Sequence, residues 1–560
     1  MIDYDVIIIG GGHAGTEAAA AAARRGAAAA LFTASPDDLG AMSCNPSIGG
    51  PGKSQMVAEI DALGGIMPVA ADMAGIHFRM LNMSHGPATR ALRAQIDRDL
   101  YRKGVRELLS QHKLEIIYES VESLDIENKI INGKYRARAI VITTGTFLNG
   151  LVHRGDEKIK SGRLQDDGNY QSADTNISKM LEKAGFSLLR LKTGTPARLY
   201  ADTINWSICE EQKPDENHEW FSSRHKTYGT RHNETEDALC PLNCFITRTT
   251  AETHDIIRNN IKDAPMYNGD ITGTGPRYCP SIEDKVMRFP EHLSHHVFLE
   301  PETMDGKIIY PNGISTSMSK EIQDKFIKSI PALENAKIER YGYAIEYDCI
   351  DARALKSTLE SKEIPGLFFA GQINGTSGYE EAAAQGLVAG ANAAACAAGA
   401  DARHLVLDRT NSMIGVLIDD ITTHGVDEPY RMFASRAEYR LSLRADNAIF
   451  RLGEIGVELG LLAADEFARK AAENREKSAE IDKMYAGYIS RNAREIESYQ
   501  RDKNIKIPNG FDYNLPGLTN ELVEKLARAR PENIASLSKI PGMTPAGIMV
   551  VLRRLRNANS

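Results

Sequence analysis

Apolar and polar positions along the chain first predict a strand and then a helix. Asp5-Val6-Ile7-Ile8-Ile9 is an unbroken, β-branched apolar run. Such a run predicts a strand buried on both faces, the parallel-sheet type. Gly10-Gly11-Gly12-His13-Ala14-Gly15 follows at once, and residues 16–25 are Ala-rich and strongly helix-forming. Gly26 ends that helix, and residues 28–33 predict a second strand. This is how a doubly wound nucleotide-binding domain begins. Residues 139–142 form another apolar run, residues 366–370 are strand-like, and residues 379–398 predict a second Ala-rich helix. Residues 76–106 are polar and predict helix. Residues 201–299 break the pattern with many His, Asn and Pro and both Trp, and are read as an insertion. Beyond residue 400 the chain turns helical and charged, and residues 459–488 contain no Pro. The expected division is a nucleotide-binding domain in two parts, 1–200 and 300–400, an inserted α+β domain over 201–299, and an all-helical domain over 401–560.

At 560 residues the chain is long for one domain. With 67 basic against 75 acidic residues, the net charge is −8. A uniformly basic nucleic-acid coat is therefore excluded, and any such surface must be local. Residues 401–560 carry 24 basic and 23 acidic side chains, and the last seventy, 491–560, carry 12 and 7. The C-terminal region is thus the relatively basic one. No long unbroken apolar stretch predicts a membrane span. The N-terminus has no basic leader pattern, so the expected location is the cytoplasm. Seven scattered cysteines argue against a disulfide framework.

Gly10-x-Gly12-x-x-Gly15 sits between a predicted strand and a predicted helix. The first glycine permits the tight turn, the second lets backbone approach a pyrophosphate, and the third lets helix and strand pack closely. The helix N-terminus then offers unpaired N–H groups to phosphate. The acidic residue expected about 20 positions further on, to hold the ribose, is missing. Thr33 or Ser35 would have to serve with a hydroxyl. Two more segments favour FAD over NAD as the tightly held cofactor. Ala137-Arg138-Ala139-Ile140-Val141-Ile142-Thr143-Thr144-Gly145-Thr146-Phe147 resembles the strand ending in Thr-Gly of glutathione-reductase-like FAD proteins. Leu367-Phe368-Phe369-Ala370-Gly371-Gln372 resembles their late strand, with Gln372 where many relatives carry Asp. The expected fold class is thus α/β: a glutathione-reductase-like FAD-binding Rossmann domain with the insertion and helical domain described above. Gly52-Lys53-Ser54 imitates the end of a phosphate-binding loop, but Ser47 occupies the position of its first glycine and Pro51 interrupts it.

Cys44 and Cys279 lie in Gly/Pro-rich surroundings that read as ordered loops, where function concentrates. Arg277 and Lys285 flank Cys279 and would favour its thiolate. A loop cysteine is more often simply packed. Cys240 and Cys244, with histidines nearby, are at most half a zinc site. The run 76–106 holds seven basic and two acidic residues. It is either a solvated face or a phosphate-binding rim beside Cys44. Arg431, Arg436, Arg440, Arg444 and Arg451 alternate with Tyr430, Phe433 and Tyr439, a pattern suited to RNA phosphates and bases.

The blocks at 10–17, 44–50, 190–196, 275–289, 300–317, 342–348, 366–386 and 428–447 together resemble one family. It is the glucose-inhibited division protein A family of tRNA uridine 5-carboxymethylaminomethyl modification enzymes. The resemblance covers most of 1–460 and returns from about 485 to 555. It implies FAD, NADH as reductant and 5,10-methylenetetrahydrofolate as one-carbon co-substrate. It also implies the wobble uridine of tRNA as target, a homodimer, and a heterotetramer with the GTPase MnmE. Carried over by motif, Gly10, Gly11, Gly12, His13, Ala14, Gly15, Val121 and Gln372 would touch FAD. The segment Gly275-Pro276-Arg277-Tyr278-Cys279-Pro280-Ser281-Ile282-Glu283-Asp284-Lys285-Val286-Met287-Arg288-Phe289 would serve NAD. Cys44 and Cys279 would be the two functional cysteines. The chain is shorter than typical relatives near 475–485, which bears on the partner surface, and residues 165–177 depart from the family pattern. No metal is expected. A folate- and FAD-dependent tRNA uridine C5-methyltransferase is the alternative enzyme; the long helical C-terminal region argues against it.

Overall fold

The computed structural model describes residues 1–164, 170–173, 176–224, 242–277, 280–502, 505–508, 510–531, 533–538, 540 and 542–558. Strand Ile2–Ile9 lies at the heart of a seven-stranded sheet. It pairs in parallel with Ala29–Thr33 on one side and Tyr135–Ile142 on the other. Leu114–Tyr118 and Leu367–Phe369 extend the parallel part outward. Two short antiparallel strands, Leu124–Asp125 and Ile130–Ile131, complete the sheet beyond Tyr135–Ile142. Val6, Ile7 and Ile8 are fully buried, which is why this strand reads as a continuous apolar run.

Helix His13–Arg24 packs on helix Tyr379–Ala398. Their Ala and Gly content allows a very close approach: a Cβ on Gly386 would sit 2.0 Å from the Ala14 carbonyl, and one on Gly390 2.2 Å from that of Ala18. The late helix thereby presents its N-terminus beside the N-terminus of the first.

Residues 76–106 are not one helix. Gly75–Leu81 and Ala91–Ile96 are strands of a three-stranded sheet with Ser47–Gly49, Pro87–Thr89 is a single 3-10 turn, and Arg98–Ser110 is the α-helix. Gly86-Pro87 breaks the segment, and Asp97 starts the helix by accepting the N–H groups of Asp99 and Leu100.

An antiparallel five-stranded sheet joins 151–195 to Tyr343–Ile350. A six-stranded antiparallel sheet runs from Glu210–Gln212 at one edge to Ile338–Arg340 at the other, around its own apolar cluster. After residue 412 the chain is predominantly helical. The main hydrophobic cluster continues through Met413, Ile449 and Leu462 to Ala471, whereas Ile507, Leu526, Leu537 and Leu552 belong to a separate one. No helix among the described residues is long and apolar enough to cross a membrane.

Candidate functional site

The carboxyl ends of the parallel strands open into a cavity of about 810 Å³. Ligands of open α/β sheets bind at such an edge. Gly10, Gly11, Gly12, His13 and Ala14 line it on one side, Thr143, Thr144 and Gly145 on another, and Gly371 and Gln372 on a third. Val121 also reaches it.

The three glycines of the first motif have separate steric reasons. Gly10 sits at φ +111°, and a Cβ there would lie 2.7 Å from the Thr143 carbonyl oxygen. A Cβ on Gly15 would lie 1.7 Å from the Gly10 carbonyl oxygen, so helix and turn can touch only through glycine. A Cβ on Gly12 would meet nothing within 4 Å. Packing does not require that glycine; it leaves backbone open to the cavity, as a pyrophosphate needs. The cradle therefore fits a dinucleotide. An acidic residue outside the expected spacing, Asp38, lines the cavity. Its carboxylate accepts the Ser35 amide at 3.1 Å and the Gln171 amide group at 2.9 Å, and it pairs with Arg163. Its loop lies beyond the second strand, further along than a fixed spacing reaches.

The His13 ring stacks on the Tyr379 ring with centroids 4.4 Å apart. Burial pushes the His13 imidazole down to about 4, with Glu380 opposing more weakly, so it is neutral at physiological pH. Its Nε2 is buried without a hydrogen-bond partner while the residue lines the cavity. Lys53, far from being a phosphate-loop lysine, bridges Glu380 and Glu381 at 2.9 and 2.8 Å. Burial alone would raise Glu380, but Lys53 holds its carboxyl below the ordinary range.

Cys44 lines the same cavity. Its N–H donates to Tyr379 Oη at 2.7 Å, and Arg98 donates to its carbonyl. Its Sγ lies 3.3 Å from Tyr310 Oη and 3.7 Å from the Gly194 carbonyl. Arg198 donates to the neighbouring Ser43 carbonyl at 3.4 Å, and both Arg198 and Arg98 share the Glu302 carboxylate, at 2.9 and 2.6 Å. Arg93 also lines the cavity, held by Glu300 at 2.8 Å. The basic run 76–106 thus sends Arg93 and Arg98 inward beside Cys44.

Cys279 and Tyr278 lie outside the described residues, as does Cys240. The described part of 275–289 does not line the cavity. Ser281 accepts the Asp284 amide to start helix Ile282–Arg288, and buried Glu283 accepts the Thr316 hydroxyl and the Ser317 amide, both at 2.8 Å. Lys285 donates to the Gly313 carbonyl at 2.7 Å. Among the described residues no cluster of three or more His, Cys, Asp or Glu side chains is placed to hold a metal. Of the five arginines at 431–451, Arg444 is buried against Asp446 and Asp482, and half-buried Arg451 pairs with buried Glu59. Arg436 lies over the Tyr430 ring at 4.2 Å, Arg431 lines the cavity, and Arg440 is exposed. Arg436 also donates to the Arg431 carbonyl at 2.9 Å, so at least three of the five are engaged in the fold. Sequence spacing did not find Tyr310, Tyr379, Arg98, Arg198 or Glu302 as neighbours of Cys44.

This fold and cavity define a protein of the glutathione-reductase-like FAD-binding class with a C-terminal helical bundle. The family model described as glucose inhibited division protein A matches residues 5–401, and one described as the tRNA modifying enzyme MnmG/GidA C-terminal helical bundle matches 495–560. Two crystal forms of Aquifex aeolicus GidA are similar over the whole chain. Form II is 40% identical, with 99% of this chain and 98% of that one covered and a TM-score of 0.85. Form I is 42% identical, with 99% and 100% covered and the same score. The chain belongs to the glucose-inhibited division protein A family.

Proposed function

We propose that this protein is an FAD- and NADH-dependent tRNA modification enzyme. In this reading it adds a carboxymethylaminomethyl or aminomethyl group to C5 of the wobble uridine. The carbon comes from 5,10-methylenetetrahydrofolate, and the enzyme works in the cytoplasm as a homodimer, in a heterotetramer with the GTPase MnmE. One observation carries the reading: a family match over most of the chain coincides with a cavity in which Cys44 faces the glycine cradle.

Gly10, Gly12, Val121 and Gln372 would hold FAD, which supplies redox chemistry when bound. The segment 275–289 would serve NADH. Uracil C5 is a weak nucleophile. Addition of a thiolate at C6 makes C5 electron-rich enough to attack a one-carbon electrophile. Cys279 is assigned as that nucleophile, because Arg277 stands two positions before it in sequence, and Cys44 as the group that moves a proton. After C5 has gained its substituent, Cys44 sulfur takes the C5 proton. The electrons of the C5–H bond re-form the C5=C6 double bond as the C6–S bond to Cys279 breaks.

The test is nucleoside mass spectrometry of tRNA from cells lacking the protein, complemented with wild type, Cys44→Ser or Cys279→Ser. Only wild type is expected to restore the aminomethyl-type nucleoside. Recovery of a C5-methyl product would point to the methyltransferase instead. Full restoration by either variant, with flavin bound, removes that cysteine from the chemistry.

A further inference from the structure

Strand Ile308–Asn312 carries Tyr310 into the cavity beside Cys44, 3.3 Å from its sulfur. The Gly194 carbonyl, 3.7 Å from the same sulfur, can only accept a hydrogen bond. When the S–H points to Gly194, the phenol is the donor to sulfur; when the sulfur is ionised, the phenol is its donor again. Tyr310 is almost fully buried, so little water competes for that role.

The surroundings favour a donating phenol. The Arg198 guanidinium lies 4.8 Å from the centre of the Tyr310 ring. It is fixed there by Glu302 at 2.9 Å, Thr195 Oγ1 at 2.6 Å and the Pro196 carbonyl at 2.8 Å. A fixed cation over a phenol strengthens its O–H as a donor. Tyr379 and Arg98 fix the Cys44 backbone on either side, which places the Cα from which the thiol projects. Among the described residues, Tyr310, Tyr379, Arg98 and Arg198 bond Cys44 or its neighbour, Glu302 stands behind the two arginines, and Lys53, Arg93, Glu380 and Tyr343 line the same cavity. Glu300, across the strand pair from Tyr310, is taken up by Arg93 and Gln95.

We propose that Tyr310 is a positioning residue for Cys44: its hydroxyl donates to the sulfur and stabilises the thiolate that takes the uridine C5 proton. In that step the C5–H bond breaks and an S–H bond forms. The Tyr310 O–H bond stays intact while its hydrogen bond weakens. The proposal rests on the proton-moving role given to Cys44 above and adds the group that makes the role possible.

The experiment is the alkylation rate of Cys44 by iodoacetamide in the FAD-loaded protein, followed by peptide mass spectrometry across neutral to alkaline pH. Losing one charge-assisted hydrogen bond should slow Cys44 alkylation in Tyr310→Phe about tenfold at neutral pH. The loss of thiolate outweighs the small gain in its intrinsic reactivity. The pH profile should move to the alkaline side. An unchanged rate and profile in a yellow, folded variant overturns the proposal. If Tyr310→Phe does not fold, site-specific 3-fluorotyrosine at 310 keeps the ring and makes the hydroxyl more acidic. Its profile should move to the acid side, and no movement overturns the proposal equally. Full tRNA modification by Cys44→Ser would instead defeat the reading of Cys44, whatever the alkylation shows.

Discussion

Glu59 and Arg451, 392 positions apart, form an ion pair at 2.7 Å in which the carboxylate is fully buried. The same carboxylate accepts the Met413 and Ile414 amides at 2.9 and 3.0 Å, and so caps helix Met413–His424. One turn of helix Lys53–Ala62 thus holds the start of the C-terminal helices. Nearby, Lys470 pairs with Asp61 at 2.8 Å and donates to the Asp61 carbonyl.

Removing one partner of such a pair leaves an uncompensated charge. Arg451→Ala is therefore expected to cost about 3–5 kcal/mol, read by denaturant or thermal unfolding. The double variant Glu59→Gln with Arg451→Met should recover part of that loss. A single-site loss under about 1 kcal/mol would mean that the carboxylate finds water instead.

Gly12 and Gly15 separate cofactor binding from folding. Gly15→Ala would force a Cβ into the Gly10 carbonyl and should destabilise the protein with or without flavin. Gly12→Ala meets open space inside the protein. Its melting temperature without flavin should match wild type while its flavin content on purification falls. A colourless wild-type protein that cannot be reconstituted with FAD would end the flavoprotein reading altogether.

Glu346 ties the loop before Cys279 to the five-stranded sheet. Its carboxylate faces His153 Nε2 at 2.9 Å and accepts the Thr272 and Gly273 amides at 2.9 and 2.7 Å. Burial alone would raise its carboxyl, but those hydrogen bonds, helped by the Arg190 charge, hold it down at about 2. A depressed carboxyl stabilises the fold above its ordinary value of 4.5, and that stabilisation is lost as pH falls toward about 2. Glu346→Gln should therefore be about 1.5–3 kcal/mol less stable at neutral pH. The gap to wild type should close in acid, as melting temperatures across that range would show. A gap independent of pH would mean that the carboxylate charge is not what holds the loop.

Local chemistry made the nucleotide-binding half readable in advance. Val6–Ile9, the glycine turn and Tyr379–Ala398 each combine composition with a sharp boundary, and helix Tyr379–Ala398 has the bounds that the Ala-rich stretch predicts. Residues 76–106 misled because dense Arg and polar residues resemble a helix face. In the structure, Arg93 and Arg98 instead point to Glu300 and Glu302 from more than 200 positions away. The surroundings of Cys44 are closed to local reading for the same reason. Gly194, Tyr310 and Tyr379 reach it from three distant segments, and only the packing of two sheets and a helix start brings them together.

The C-terminal bundle offers the cleanest test of how tRNA is held. A cut after residue 400 would strip Arg451 and Lys470 from Glu59 and Asp61 and open the main hydrophobic cluster, which runs on to Ala471. Loss of RNA binding there would say nothing specific. The cluster around Leu526 and Leu552 is separate, so deleting 505–560 should leave flavin content and the melting of the remainder unchanged. The deletion removes the exposed arginines 528, 530, 553 and 554. If they meet RNA phosphates, tRNA affinity should fall and its dependence on salt should become shallower, because fewer counterions are released on binding. Arg440→Glu in the intact chain is the companion measurement, since Arg440 is exposed whereas Arg444 and Arg451 are engaged in ion pairs. Weaker binding in both variants, with unchanged flavin, would place the RNA grip on these two surfaces. Unchanged affinity in both would move it to the cavity rim, where Arg93 and Arg431 remain.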